Sequence, residues 1–357
     1  MLDNFKLYHT WHSRLVQIAP NECDTRLTNM TLLVVGLYHA GHVHLSAIVR
    51  KWPVGAKKLS LTRRLTRFLA NPAVRVRAWY QPVAQQLLAP FAGQEVRLII
   101  DGSKVGFGHQ LLMVAVAYRR RSLPLAWCWV NVKRGHSSYQ KQLALLAYVR
   151  TLLPPDTGVL LVGDGEFGGI LVLRQLEAWR WHYVLRQKSN NLVQTAPGQA
   201  WLPFGKLVTA REQLYWWPQA SLTHSHCHRT SLLAYWRRGE DDPWLLATNL
   251  HTARLSLQAY RRRMWIEEMF GDMKGHGFDL EATHLRHFLR LSRLTLAVCL
   301  LYVWLVAFGS FVIKSGQRHL VDRTDRRDLS IFRIGWDTIE RRLALGKHAF
   351  VSFRFYL

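Results

Sequence analysis

The sequence predicts an α/β protein in which a mixed sheet with flanking helices follows a helical N-terminal segment. Hydrophobic residues make up 49% of the 357 residues, and no repeat or low-complexity tract interrupts them, so a folded core is expected. Apolar residues in the first quarter follow helical spacing, whereas from residue 96 short apolar runs alternate with helical patterns. Alternation of this kind is typical of α/β folds.

Residues 1–94 are predicted to be helical and to bind DNA. A short basic helix follows an earlier helix here, with Ser60 as its N-cap and its end at Asn71. One side of this helix carries three arginines, namely Arg63, Arg64 and Arg67. This order of elements suits a helix-turn-helix reader of the major groove, and a generic basic helical bundle would show the same pattern.

Residues 95–186 contain two apolar runs that each end in an aspartate. Asp101 closes the run in "LIIDGS", and Asp164 closes the run in "LVGDGEFGG". Between them lies a hairpin pattern with its turn at 119–122, followed by a helical pattern. Functional groups of α/β sheets collect beyond the carboxyl ends of the strands, although a single Asp-Gly is usually only a turn. Because two such acids occur, a functional site shared by Asp101 and Asp164 is a stronger interpretation than two separate turns.

The rest of the chain divides into three segments. Residues 187–254 are rich in tryptophan and proline with short alternating runs, which predicts a β-rich insertion. Residues 255–313 resume the core, and residues 314–357 are predicted to form a basic tail. Residues 294–313 are uncharged and long enough to cross a membrane, but a helix covered on all sides in a core would look the same.

The net charge of the chain limits the kinds of partner that it is expected to bind. Lys and Arg number 48 against 23 Asp and Glu, a formal charge of +25, so a polyanion is the expected partner and an anionic membrane surface the competitor. The four cysteines show no C-x-x-C pair, and the N-terminus has no apolar signal region. Both features favour a reducing, cytoplasmic location.

The stretch "YRRRMWIEEMFGDMKGHG" at 260–277 gathers charged side chains on one side of a predicted helix. At about 100° per residue, four side chains fall within about 60° of one another. They are Tyr260, Arg263, Glu267 and Lys274. Glu268 falls well off this stripe, on the outer face. A surface helix with many salt bridges would also be charged, but it has no need to collect these groups on one side.

Three carboxylates meeting in a basic protein would repel one another unless a hard cation lay among them. Mg²⁺ suits such oxygen ligands, with Mn²⁺ as a substitute. Two ions in one site can activate the attacking oxygen and stabilise the leaving oxygen of a phosphoryl displacement. The basic surface would then hold a nucleic acid.

The spacing Tyr260-x2-Arg263-x3-Glu267-x6-Lys274 resembles the YREK signature of bacterial DDE transposases of the insertion-sequence-four type. The resemblance extends over about residues 25–310 and includes the segments around Asp101 and Asp164. It implies a ribonuclease-H-like mixed sheet with a β-rich insertion before the last catalytic helix and a helical N-terminal DNA-binding domain. The chain departs from the family in having Gly102 before Ser103, and Gly165 with Glu166 after Asp164.

The resemblance also implies roles for individual residues. Asp101, Asp164 and Glu267 would be the catalytic triad that binds two Mg²⁺ ions. Tyr260, Arg263 and Lys274 would hold phosphates near the cleaved end. Trp244, in "WLLATNL", would stack on a base flipped out of the duplex, and a core tryptophan of the insertion is the alternative.

By the same resemblance, the expected function is cut-and-paste transposition. DNA would be hydrolysed at the transposon ends, and the freed 3′-hydroxyl would attack the opposite strand to form a hairpin and later the target DNA. A homodimer would hold two ends in a synaptic complex in the bacterial nucleoid, without a membrane. A metal-dependent nuclease without strand transfer and a non-catalytic DNA-binding protein are the alternatives.

A second cluster, "HSHCH", places His224, His226 and His228 on one side of a predicted strand. Such a set can bind a transition metal. An exposed polar strand face explains it with fewer assumptions.

Overall fold

The fold was examined in a computed structural model, which describes residues 2–106, 108–131 and 136–355. The helices are α1 (Leu2–Ile18), α2 (Asp24–Ala40), α3 (Leu45–Val49), α4 (Lys58–Ala70), α5 (Val76–Leu88), α6 (Tyr139–Arg150), α7 (Ile170–Ala178), α8 (Ala253–Tyr260), α9 (Met264–Met273), α10 (Phe288–Lys314) and α11 (Ile331–Ala344). The strands are β1 (Glu95–Val105), β2 (His109–Tyr118), β3 (Arg121–Asn131), β4 (Gly158–Gly163), β5 (His182–Arg186), β6 (Leu192–Gln194), β7 (Leu202–Pro203), β8 (Leu214–Leu222), β9 (His228–Tyr235) and β10 (Trp244–Thr248).

The described strands form one mixed sheet in the order β3-β2-β1-β4-β5-β10-β9-β8-β6-β7. Strands β1, β4 and β5 run parallel, and β2 and β3 add antiparallel to the free edge of β1. The mixed α/β fold predicted from the sequence is therefore confirmed. The first five strands are consistent with the ribonuclease-H-like arrangement that the resemblance implies.

The predicted β-rich insertion is not a separate sheet. Its strand β10 pairs antiparallel with β5, with Leu246 opposite Arg186, and β9, β8, β6 and β7 follow outward. An uncovered β5 would present a row of unpaired backbone groups, and β10 satisfies them. The insertion therefore extends the sheet that carries the aspartates.

The N-terminal helices pack into the same core. Helix α4 buries Leu61, Leu65 and Phe68, as its pattern predicts. It begins at Lys58, with Lys57 in the capping position and no side-chain cap, so the prediction of Ser60 as N-cap is wrong. A wrong cap shifts the start of the helix by a turn but leaves its buried face unchanged.

Helix α10 is the central helix of the protein. It is the one helix of the described residues that is long and apolar enough to cross a membrane, and 89% of its most apolar window is buried inside the protein. Its Arg293 is also buried and donates to the carbonyl oxygens of Leu69 (2.8 Å), in the last turn of α4, and of Val74 (3.0 Å), in the loop before α5. The burial fits the core-helix interpretation of 294–313.

The C-terminal segment differs from the predicted tail, because its helix α11 packs along α10. The two backbones approach so closely at Gly309 and Gly335 that a Cβ on either glycine would lie 1.9 Å from a backbone oxygen of the other helix. Ile331, Ile334 and Ile339 of α11 are buried. Residues 331–344 therefore belong to the core.

Candidate active site

Two of the predicted site residues lie close to each other on neighbouring parallel strands. Asp164 directly follows β4, but Asp101 lies within β1, which continues to Val105, so the prediction that Asp101 ends its strand is wrong. Pairing with β2 continues β1 beyond the point where its pairing with β4 stops. The register pairs Ile100 with Gly163, the residues just before the two aspartates. Since paired strands lie about 4.8 Å apart, the sheet brings the two carboxylates to one edge.

The third acid comes from α9, which is not continuous with α8. Helix α8 ends at Tyr260, a 3₁₀ turn covers Arg261–Arg263, and α9 ends at Met273, so Lys274 lies beyond it. The prediction of one uninterrupted helix through 260–274 is thus wrong. The tighter 3₁₀ turn changes the direction of the side chains on either side of it. Arg263 and Glu267 still meet because Arg263 is the N-cap of α9 and lies four residues before Glu267.

Arg263 joins two of the predicted catalytic acids. Its Nη1 lies 3.2 Å from Oδ2 of Asp101, and its Nη2 lies 2.6 Å from Oε1 of Glu267. The side chains of Arg263 and Asp101 are nearly buried, whereas that of Glu267 is 44% exposed. The arrangement places a fixed cation between carboxylates from β1 and α9.

The electrostatics of the aspartates reflect burial and mutual repulsion. Burial raises the pKa of Asp101 to about 7, although Arg263 lowers it, and the charges of Asp164 and Glu267 raise it further. Burial also raises the pKa of Asp164, against the backbone N–H of Glu166 and the charge of Arg263. Carboxylates that repel one another in this way are stabilised by a positive charge placed near them.

This donor set fits a hard divalent cation, because it consists of carboxylate oxygens on β1, at the end of β4 and on α9. In the described ranges no group of three or more His, Cys, Asp or Glu is already arranged to hold a metal. Arg263, not a further carboxylate, lies between Asp101 and Glu267. The acids are therefore gathered by a cation that the protein itself supplies.

Two polar atoms beside the acids are buried without a partner among the described residues. They are the hydroxyl of Tyr260 and Nε of Arg263. Buried donors of this kind carry a free-energy cost unless a ligand satisfies them. An anionic group such as a phosphate would accept from both.

Trp244 is buried, with 8% of its surface exposed. Its ring meets Tyr260 edge-on with centroids 5.1 Å apart, and Tyr235 packs on it as well. The geometry resembles a core tryptophan that supports Tyr260. Stacking on a flipped base stays a prediction, and it would require the ring to be uncovered.

Lys274 and Glu268 have partners of their own. Nζ of Lys274 donates to the carbonyl oxygen of Lys104 (2.9 Å) and pairs with Glu281 (2.6 Å). Glu268 pairs with Arg121 at 3.1 Å on the other side of α9. The contact of Lys274 with phosphate stays a prediction, because it would have to exchange Glu281 for the ligand.

Sequence reasoning assigned no role to two residues beside the acids. Arg186 ends β5, the third parallel strand; burial raises the pKa of Asp164 and of Tyr260, and the charge of Arg186 opposes both shifts. Glu166 accepts from Ser137 N (2.6 Å) and from Nε2 of Gln110 (3.0 Å), and so fixes the loop after Asp164. The sequence signal that could have identified Arg186 was its position at the end of a third strand. Both line a cavity of about 540 Å³ that opens beside Asp164.

The basic helix α4 does not present its three arginines equally. Arg63 and Arg67 are exposed. Nε of Arg64 donates to Oδ1 of Asn29 at 2.8 Å, and its guanidinium lies 5.8 Å from the ring centre of Trp52. Two of the three predicted DNA contacts are thus available at the surface, and Arg64 joins α4 to its neighbours.

The histidines of "HSHCH" do not share a strand face. Strand β9 begins at His228, which is buried beside Glu177, while His224 and His226 lie before it in a turn. None of them belongs to a possible metal cluster in the described residues. The prediction of one strand face is wrong, because the turn separates the histidines.

The comparison with known proteins gave one family. The family described as "Transposase DDE domain" matches residues 93–304, which is more than half of the chain. Among solved structures, the chain is similar to one titled "Cryo-EM structure of piggyBac transposase synaptic complex with hairpin DNA (SNHP)", with 8% sequence identity and a TM-score of 0.41. That alignment covers 97% of this chain and 77% of the other. No curated protein matched.

Proposed function

The chain belongs to the family of transposases with a DDE domain, and from that premise we propose that it is a cut-and-paste DNA transposase. It would hydrolyse DNA at the ends of its element and join the freed 3′-hydroxyl to target DNA. A hairpin at the excised end is part of the proposal. So are a homodimer that holds two ends in synapsis and a location in the bacterial nucleoid.

The observation that carries the proposal is the pairing of Arg263 with both Asp101 and Glu267, while the charge of Asp164 on the neighbouring strand raises the pKa of Asp101. The three acids come from β1, the end of β4 and α9, which are distant from one another in sequence. These acids would hold Mg²⁺, two ions in the complete site, with Mn²⁺ as a substitute. The ions would supply charge stabilisation for the attacking and leaving oxygens of an in-line displacement at phosphorus.

The side chains around the acids would position the DNA strand. The buried hydroxyl of Tyr260 and Nε of Arg263 are free to donate to a phosphate. Arg186 and Lys188 line the cavity beside Asp164 and would neutralise the strand entering it. Arg63 and Arg67 on α4 would hold the duplex at a distance from the cut, where they add affinity without touching the reacting atoms.

The test is incubation with DNA that carries the ends of the element, with Mg²⁺ or with a chelator, followed by denaturing gels. Metal-dependent nicks at the ends, together with joining of a pre-cleaved end to a second DNA, are the expected results. Nicks without joining would indicate a nuclease. Binding without nicks, in the presence of either metal, would indicate a DNA-binding protein and would refute the proposal.

A further inference from the structure

The turn between β2 and β3 has an unusual sequence for its shape. Tyr118 pairs with Arg121, so that Arg119 and Arg120 form a two-residue turn. Both have positive φ, 41° and 64°. Two-residue turns with positive φ at both positions strongly prefer Asn-Gly, because side chains such as that of arginine are strained there. A strained pair of arginines at an exposed tip points to a function outside the fold.

The three arginines of "RRR" at this turn have different environments. Arg121 points inward and pairs with Asp272 (2.7 Å) and Glu268 (3.1 Å), which attaches the hairpin to α9. Arg119 and Arg120 are exposed. Of the described carboxylates none forms a salt bridge with these two, so their charge is available to a partner.

A groove of about 310 Å³ lies beside the tip, along the part of β1 that precedes Asp101. Arg97, Arg119, Arg262 and Trp265 line it, and the guanidinium of Arg262 lies 5.7 Å from the ring centre of Trp265. Glu95 is the one acid among the lining residues, and it pairs with Arg97 at 3.4 Å. The surface is therefore basic, with an aromatic side chain between its cations.

The groove lies on the same side of the sheet as Asp101, nearer the N-terminal end of β1. Arg262 directly precedes Arg263, which binds Asp101. Arg97 is four residues before Asp101 in the same strand and thus on the same face of the sheet. At about 3.3 Å per residue, their Cα atoms lie about 13 Å apart, roughly the axial length of four base pairs of a duplex.

We propose that this hairpin-tip surface, formed by Arg97, Arg119, Arg120 and Arg262, binds the sugar–phosphate backbone of a DNA duplex a few base pairs away from the reacting phosphodiester. The inference rests on the proposed function and adds a second DNA contact to it. Cations spread over a strand, a turn and a 3₁₀ segment suit a row of phosphates better than one small anion. The duplex is either the flank of the element's end or the target DNA.

The decisive variant is Arg119→Asn/Arg120→Gly. It removes both charges and installs the residues that the turn geometry prefers, so the fold should be at least as stable as in the wild type. Binding should weaken about tenfold at physiological salt, and the slope of log affinity against log salt should fall by about 2. Thermal unfolding and a salt series of binding isotherms are measured on the same preparation.

Two DNA substrates distinguish the source of the duplex. If the surface holds the flank, the loss appears with an uncut end that keeps its flanking DNA and disappears with a pre-cleaved end. If it holds target DNA, cleavage is unchanged and joining of a pre-cleaved end falls. Arg326→Ala/Arg327→Ala, a second exposed pair of arginines, is the control for total charge and should change neither slope nor joining.

Unchanged affinity, slope and joining in a stable Arg119→Asn/Arg120→Gly variant would overturn the inference. So would an equal loss in the Arg326/Arg327 control, because the effect would then be one of net charge. Wild-type protein that never cuts the ends, with or without Mg²⁺, would instead refute the proposed function. The two failures are therefore distinguishable.

Discussion

Two features of Arg263 matter for the site. Its guanidinium neutralises Asp101 and Glu267, and its buried Nε has no partner among the described residues. A divalent ion among the acids would take over the first task and release the guanidinium toward a phosphate. Arginine suits both tasks, because its planar group binds carboxylates and phosphates with the same fork of donors. The same side chain can therefore serve the two carboxylates and a bound phosphate.

The triad makes a prediction that separates the two neighbouring glutamates. Asp101→Ala, Asp164→Ala and Glu267→Ala should each abolish cleavage but leave end binding largely intact, because affinity comes mainly from Lys and Arg contacts with phosphates. Glu268→Ala should remain active, since Glu268 faces Arg121. Gel assays of binding and cleavage check both. An inactive Glu268→Ala beside an active Glu267→Ala would show that the wrong glutamate was assigned.

Trp244 carries a second prediction at this scale. Because the ring is buried against Tyr260, Trp244→Ala should lower the free energy of unfolding by about 3–5 kcal/mol. Nicking and hairpin formation should then fall together, as Tyr260 loses its support. Denaturant unfolding and the ratio of hairpin to nicked product are the measurements. A selective loss of hairpins in a stable variant, rescued by an abasic site at the flipped position, would favour base stacking instead.

The residues that sequence reasoning found are those with a local signature. Asp101 and Asp164 end apolar runs, and Tyr260, Arg263 and Glu267 follow a fixed spacing. Arg293 has no such signature, and the position of Arg186 at the end of a third strand is a weaker one, because the roles of both depend on contacts with residues far away in the chain. Arg64 was assigned to DNA with its neighbours because spacing alone does not show that Asn29 faces it.

Among the elements, α4 is the one whose proposed role can be divided between its arginines. Arg63→Ala/Arg67→Ala should weaken end binding and lower the salt slope by about 2, because both side chains are exposed. Arg64→Ala should mainly reduce stability, since it loses the bond to Asn29. Salt-dependent binding and thermal unfolding of the two variants are compared. If only Arg64→Ala changes the slope, the DNA-facing side of α4 has been assigned incorrectly.

The strands were predictable where a buried run met a turn signal, and the helices were less so. A 3₁₀ turn at 261–263 interrupts a pattern that fits one helix, because an apolar stripe does not show where the winding tightens. Helix α11 was assigned to a tail because its exposed face is rich in charge. The apolar face that packs on α10 rests on a glycine contact that charge counting does not detect.

At the scale of the whole molecule, metal binding should be visible as stability. Mg²⁺ at 10–100 times its dissociation constant should raise the free energy of unfolding by about 1.4–2.7 kcal/mol, because it binds the folded acids and not the unfolded chain. Thermal unfolding with and without Mg²⁺ measures this independently of DNA. Asp101→Ala should remove the effect, and Glu268→Ala should keep it. An equal rise in the Asp101 variant would place the ion elsewhere.

The sheet is a further property of the whole chain that local patterns did not reveal. Its parallel centre followed from two Asp-terminated runs, but the pairing of β10 with β5 joins segments that the sequence divides into separate domains. Strand pairing across such a distance depends on which edge is left open. That edge is defined only when the other strands are in place.

The buried contacts of helix α10 limit which segments of this chain can be exchanged by protein engineering. Arg293 donates to the carbonyl oxygens of Leu69 in α4 and of Val74 in the loop after it, so α10 and the N-terminal helices share one buried anchor. To redirect the enzyme to another element's ends, residues 1–94 could be exchanged for those of a relative. Such a chimera would keep Arg293 but could lose the carbonyl oxygens that accept its hydrogen bonds. A buried charge without them costs several kcal/mol. Retargeting by grafting therefore requires that the donor helix end where α4 ends, or that α10 be transferred with it.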